Sequence, residues 1–225
     1  MVVRSLVRRS GSRGVPRGER ETQILDAAAI EFGTRGYAAV FVADVAARAG
    51  ISKPLIYQYF SSKDGLYSAC VERAGAALTA GIGEAMRLSN PGFVTAAAAV
   101  LDAIFTALEP RPHDWNVLYD RSVPPDTPAA VAAGRYRRNI ADQAAAGVGS
   151  AFPAEELSDP GDLSRLIRIW MSSVSAIVSW WLDHPDQTAA EMSARTQRVL
   201  SALGSGPPRP ASSAQDALSR RGRGR

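Results

Sequence analysis

Apolar residues recur at three- and four-residue intervals from about Glu21 to Leu203, and no segment alternates apolar and polar positions with β-branched enrichment. The pattern predicts an all-α protein. Ile24, Leu25, Ala28 and Phe32 make the first apolar face, and their helix is expected to stop at Thr34-Arg35-Gly36, where Gly36 suits a left-handed cap. A short helix over Val42–Ala49 ends at Gly50. A third opens at Ser52, whose hydroxyl is placed to cap it, with Pro54 in the first turn, where no amide donor is missed. Ser62 is placed to cap a longer helix from Lys63 to about Met86.

Asn90-Pro91-Gly92 is a break, and beyond it the periodicity predicts helices at about 93–108, 115–121, 127–146, 161–183 and 187–203. The breaks between them carry Pro110 and Pro112, Pro124 and Pro125, Pro153 and Pro160, and Pro185. Helix 161–183 has two apolar stripes. Leu166, Trp170, Val174, Ile177 and Trp181 form one; Ile169, Ser173, Ala176 and Trp180 form the other. A helix apolar nearly all round needs two buried faces. A homodimer through 161–183 and 187–203 supplies the second, and a fully central helix is the alternative.

The 225 residues are 46% hydrophobic and 21% charged, enough to bury a sizeable core. One cysteine, Cys70, excludes an internal disulfide, and its place on an apolar helix face makes it a buried small hydrophobe. With only His113 and His184, no metal centre of familiar spacing is present, and no cofactor is expected. The longest apolar run, Ile169 to Leu182, is 14 residues, short of the roughly 20 that cross a bilayer. No signal-peptide stretch precedes it, so a cytoplasmic location is expected. No nucleophile elbow, phosphate loop or paired-carboxylate motif suggests an enzyme.

The net charge of +4 hides an asymmetry. Residues 1–20 sum to +5, residues 204–225 to +4, and residues 21–203 to −5. Both ends are rich in Gly, Ser, Pro or Arg and are expected to be disordered basic segments. Such segments hold polyanions by counterion release or serve only as solubilising tails.

The stretch from Val45 to Phe60 carries the chemistry. Two short helices joined at Gly50 make a helix-turn-helix, in which Ala46 and Ala47 permit close approach and Val45, Ile51, Ile56 and Phe60 bury the inner face. The outer face then offers Lys53, Pro54, Leu55, Tyr57 and Tyr59 to a major groove.

At this point the sequence resembles the TetR family of one-component transcriptional regulators. The resemblance covers about residues 20–67 and rests on four blocks in order. They are Glu31-Phe32-Gly33-Thr34-Arg35-Gly36-Tyr37; Val42-x-Asp44-Val45-Ala46-x-x-Ala49-Gly50-Ile51-Ser52-Lys53; Ile56-Tyr57-x-Tyr59-Phe60; and Ser62-Lys63-x-x-Leu66. The resemblance implies that Ser52, Lys53, Pro54 and Leu55 meet bases or adjacent backbone, that Tyr57 and Tyr59 contact a phosphate or base, and that Lys63 meets a phosphate together with the positive end of its helix. The competing roles are packing between helices for the tyrosines and simple solvation for Lys63. Two departures stand out. Val40, Phe41 and Val42 replace the usual hydroxyl before the second helix, and Ala43 stands where an Arg often reads a base. They shift weight to the recognition helix and to an arm in which Arg17 and Arg20 are expected to meet DNA.

The resemblance further implies a helical ligand-binding and dimerisation domain. Phe105, Trp115, Tyr119, Trp170, Met171 and Val174 are the expected pocket lining, with Arg121, His113 or Asn116 supplying polarity. The expected organisation is a disordered basic arm over 1–20, a three-helix helix-turn-helix DNA-binding domain over 21–67, a ligand-binding and dimerisation domain over 68–203, and a basic tail over 204–225. The function implied is a dimeric repressor on a palindromic double-stranded operator, released by a small, largely apolar effector. The alternative is a dimeric small-molecule-binding module that keeps the helix-turn-helix only as structure; a helical enzyme and a nucleoid-type DNA packer stand further off.

Overall fold

In a computed structural model the described residues, 14–88, 92–152 and 159–204, form nine helices and no strand. They are α1 (Arg17–Ala39), α2 (Val42–Ala49), α3 (Lys53–Phe60), α4 (Lys63–Leu88), α5 (Phe93–Leu108), α6 (His113–Tyr119), α7 (Pro128–Ala151), α8 (Pro160–Leu182) and α9 (Ala189–Gly204). Residues 1–13 of the expected arm and 205–225 of the expected tail lie outside the described residues. The helix starts earlier than the boundary expected at residue 21, because Pro16 precedes it with an extended ψ of 147° and its carbonyl already accepts the Arg20 N–H at 3.0 Å.

The turns follow the local chemistry. Gly36 adopts φ 76° and interrupts α1, and Gly50 closes α2 in the left-handed region at φ 66°, ψ 29°. Asp44 accepts the Phe41 N–H at 3.0 Å, so an acidic residue in the first turn of α2 does the work of the missing hydroxyl. That bond, and then Arg35, hold its carboxyl below the usual range. Ser62 Oγ accepts the Gly65 N–H at 2.9 Å, as expected of a cap. Ser52 stands at the N-cap of α3 but makes no side-chain capping bond; its carbonyl accepts the Leu55 and Ile56 amides instead, which leaves its hydroxyl exposed.

The helix-turn-helix core is Ile24, Ala28, Phe32, Val45, Ile56 and Leu66, none more than 1% exposed. Truncating Ile56 to Ala there would cost about 2–5 kcal/mol. Buried Glu31 joins α1 to α2 by accepting from Arg48 at 2.6 Å and Arg35 at 3.2 Å. The domain boundary expected after residue 67 falls inside α4, which is continuous from the helix-turn-helix core at Leu66 and Tyr67 to Ile82 in the helical body.

A second link runs through α6, which packs along the end of α1. Asn116 donates to the Gly33 carbonyl at 3.0 Å, the Tyr67 hydroxyl donates to the Val117 carbonyl at 2.7 Å, and Asp120 accepts the Tyr37 N–H at 2.6 Å. A third link is ionic. Arg73 on α4 donates to Asp26 on α1 at 2.6 Å and to buried Asp114 on α6 at 3.2 Å.

In the body, α4 packs between α5 and α7, α8 packs on α7, and α9 packs on α5. On α8 the first stripe turns inward: Val174 and Trp181 are buried, with Val178 beside them, and Leu166, Trp170 and Ile177 are half-buried. The second stripe, Ile169, Ser173, Ala176 and Trp180, is exposed, with Ile169 at 62% and Trp180 at 44%. This arrangement rules out the alternative of a fully central helix. No single helix among the described residues is long and apolar enough to cross a membrane.

Candidate nucleic-acid interface and effector cavity

The recognition helix α3 is held by one buried side chain, Ile56, and bares the opposite face. Ser52, Lys53, Pro54, Tyr57 and Gln58 are exposed, and Leu55 and Tyr59 are half-buried. Lys53 and Tyr57 are four residues apart, and the Lys53 ammonium lies 5.7 Å from the Tyr57 ring centroid. Tyr57 therefore does not pack between helices. Tyr59 does so in part: its ring tilts against Phe60, and the Arg17 guanidinium sits 5.2 Å above it. The outward placement expected for Leu55 is only half met, since α3 leans that edge on its neighbours.

Lys63 opens α4 as expected, but its ammonium lies 4.1 Å over the Tyr37 ring and is half-buried. Burial draws its pKa down, against the pull of Asp64. The Tyr37 hydroxyl in turn donates to Asp64, and burial followed by that carboxylate pushes it up to about 12. Lys63 and the first turn of α4 are thus fixed beside the end of α3. Arg20, expected on DNA, is 7% exposed and donates to Gln23 at 2.7 Å, while Gln23 donates to the Ala49 carbonyl. Arg20 is a brace between α1 and α2. Ala43 and Phe41 are exposed at the start of α2, Phe41 at 70%.

Sequence reasoning missed Gln58. It shares the exposed edge with Pro54 by four-residue spacing, and a glutamine amide is suited to paired hydrogen bonds on adenine.

The body encloses a cavity of about 50 Å³ between α4, α5, α6, α7 and α8. Of the expected lining, Trp115, Trp170, Met171 and Val174 are present. Phe105 is not: it is fully buried edge-to-face against Trp181, 5.3 Å between centroids. Tyr119 stacks behind Trp115 at 4.4 Å and does not line the cavity. The polarity expected from His113, Asn116 or Arg121 is also elsewhere, since the first two abut Gly33 of α1 and Arg121 lines a separate groove. Gln143 supplies it instead. Its amide donates to the Thr79 carbonyl at 3.1 Å, and its buried Oε1 has no partner. Cys70 is fully buried, and burial pushes its thiol up to about 12. Among the described residues no cluster of His, Cys, Asp or Glu is placed to hold a metal ion.

A bare short helix after a glycine turn, braced on a three-helix core and joined by one long helix to a cavity-bearing body, makes a helix-turn-helix domain on a helical body. Residues 24–70 match the family "Bacterial regulatory proteins, tetR family". A relative, the HTH-type transcriptional activator FasR of Mycolicibacterium smegmatis, is 38% identical over 112 residues, a match spanning half of this chain and half of that protein. A TetR-like transcriptional regulator from Rhodococcus sp. RHA1 shares the fold with a TM-score of 0.65 at 22% identity, over 86% of this chain and all of that one. The Bacillus subtilis regulator FadR, solved with stearoyl-CoA, has a TM-score of 0.60 at 18% identity, over 83% of this chain and 98% of that one. Residues 24–70 thus match the DNA-binding domain of the tetR family, and the described residues share the fold of TetR-like regulators.

Proposed function

We propose that the chain acts as a homodimer that binds a palindromic operator and is released from it by a small, largely apolar effector. The observation that carries this reading is the bare face of α3. Ser52, Lys53, Pro54, Tyr57 and Gln58 stand free of the core, on a helix narrow enough for a major groove. In this reading Lys53, Pro54 and Gln58 face base edges, with Ser52 and Leu55 at their margin. Tyr57, Tyr59 and Lys63 meet phosphates, Lys63 jointly with the N-terminus of α4. The exposed stripe Ile169, Ser173, Ala176 and Trp180, with Val199 of α9 beside it, supports a dimer through α8 and α9. Two recognition helices would then enter successive grooves about 34–36 Å apart. The protein acts on DNA in the cytoplasm and catalyses no reaction.

Release follows from the links through α4 and α6. Ile82 of α4 and Trp115 of α6 line the cavity, and the same helices grip α1 and the helix-turn-helix core. A ligand too bulky for this space must part these walls, and it shifts the equilibrium only as far as it prefers the parted state. That FadR was solved with stearoyl-CoA supports an apolar effector. Repression is the expected output. Activation is the second reading, favoured because the relative from Mycolicibacterium smegmatis is a transcriptional activator.

The test is a gel shift with the protein's own upstream DNA across a salt series. The account expects sequence-selective binding that weakens steeply with salt. Binding that is absent, or equal for any duplex, contradicts it and favours the vestigial module or the DNA packer respectively.

A further inference from the structure

Beside the cavity, the loop after α6 and the first turns of α7 form a groove of about 560 Å³. Its walls include Val123 and Val131, and its polar groups are Asp120, Arg121, Arg137 and Arg138. Three cations thus face one carboxylate, and Asp120 is already engaged by the Tyr37 and Ser122 amides and the Ser122 hydroxyl. Arg35, Arg48, Arg73, Arg111 and Arg135, by contrast, each hold a carboxylate within 3.3 Å. No described residue holds Arg121, Arg137 or Arg138 by a hydrogen bond or ion pair. Arg137 is half-buried as well, and its guanidinium opens onto the groove without a protein partner. Next to it lies a second unanswered group. The Tyr119 hydroxyl is buried and has no partner, and Arg137 is the charge that opposes the upward push of burial on its ionisation.

Groove and cavity are successive stations on the same helix faces. On α7, Ala133 and Arg137 line the groove, and Ile140 and Ala144, next along the same face, line the cavity. On α6, Trp115 lines the cavity, Tyr119 stacks on it one turn later, and Asp120 lines the groove. Arg137 and Gln143 are separated by about 9 Å of helix rise, a distance that a short alkyl chain spans.

We propose that the effector is an amphipathic anion, its apolar tail in the cavity and its phosphate or carboxylate head in the groove, held by Arg137 with Arg121 and Arg138. The guanidinium fork matches both head groups, and the half-buried site strengthens the bond. This assignment rests on the effector reading above and deepens it by naming the ligand class.

The experiment titrates the full chain with dodecyl phosphate, dodecanoate and dodecanol at monomeric concentrations. It reads the fluorescence of the tryptophans, two of which, Trp115 and Trp170, line the cavity. The expected result is that at least one anion binds roughly ten-fold or more tightly than the alcohol. Which anion leads tells phosphate from carboxylate. Arg137→Gln brings the anions to the level of the alcohol and leaves the alcohol unchanged; exposed Arg138→Gln has a smaller effect in the same direction. Equal affinity for all three ligands in the wild type overturns the head-group assignment while the cavity stands. A preference that survives both substitutions also overturns it, as does loss of DNA binding by ligand-free Arg137→Gln. Failure of all three to bind overturns the assignment and the effector cavity together.

Discussion

Replacing Gly65 with Ala separates the pose of the recognition helix from the integrity of the body. Gly65 lies in the first turn of α4, directly after α3. A Cβ there would stand 2.1 Å from the Phe60 carbonyl oxygen and 3.3 Å from its carbon. Ordinary C···O contacts are about 3.3 Å or longer, so the two must part by roughly 1 Å. The obstruction is backbone, and the same oxygen accepts the Ser62 N–H at 2.7 Å, so no side-chain rotation relieves it. Overpacking of this kind costs about 1–3 kcal/mol, and helix propensity returns less than about 1 kcal/mol. A net loss of about 1–2 kcal/mol lowers Tm by roughly 2–8 °C at this chain length. The control is Gly81→Ala on the same helix, where a Cβ meets nothing nearer than the Ala103 carbonyl oxygen at 3.6 Å. That change raises stability by about 0.5–1 kcal/mol. Because the strain at Gly65 is relieved by turning α3 against α4, operator affinity measured by fluorescence anisotropy falls at least roughly ten-fold for Gly65→Ala and stays level for Gly81→Ala. A Gly65→Ala protein with wild-type Tm and operator affinity refutes the reasoning.

Three further outcomes are expected. Burial, and then Arg48, depress the His113 pKa below 6.5, so the unfolded chain binds more protons between the folded value and 6.5. Stability from this group is present above pH 6.5 and is lost as pH falls through the folded value, at no more than about 1.4 kcal/mol per pH unit. Denaturant melts of His113→Gln show a shallower decline just below pH 6.5, and an identical slope rejects the assignment. Cys70, fully buried with its thiol raised to about 12, resists a thiol reagent at pH 8 until denaturant is added; rapid labelling of the native protein contradicts its core placement. Tyr57→Ala weakens binding about uniformly over sequences, whereas Lys53→Ala changes which bases are selected; the reverse pattern exchanges the two roles.

The fold was legible in the sequence because its punctuation is strong. Gly50 and Pro54 mark real ends, Gly36 marks a kink within α1, and the two stripes of α8 separate into one facing inward and one exposed. The exposed face of α3 was legible except for Gln58, which the four-residue spacing from Pro54 already placed on it. The cavity was harder to anticipate. Apolar periodicity points to large side chains, but much of this wall is Ala96, Ala97, Ala144 and Gly147, whose small size makes the space. Phe105 illustrates the converse: a large aromatic on the right helix fills the core against Trp181 instead of facing the cavity. Arg20 was misplaced because charge alone does not tell a brace from a DNA contact; its partner Gln23 could be identified only from the structure.

The most direct test of the central claim is selection of bound duplexes from a random pool by the purified full chain. The account expects an inverted repeat whose half-sites are centred about one helical turn, roughly 34–36 Å, apart. It also expects substitutions at Lys53 and Gln58 to alter symmetric positions within both halves. Recovery of a single asymmetric site, or of no consensus at all, would contradict the pairing of two α3 helices on one duplex.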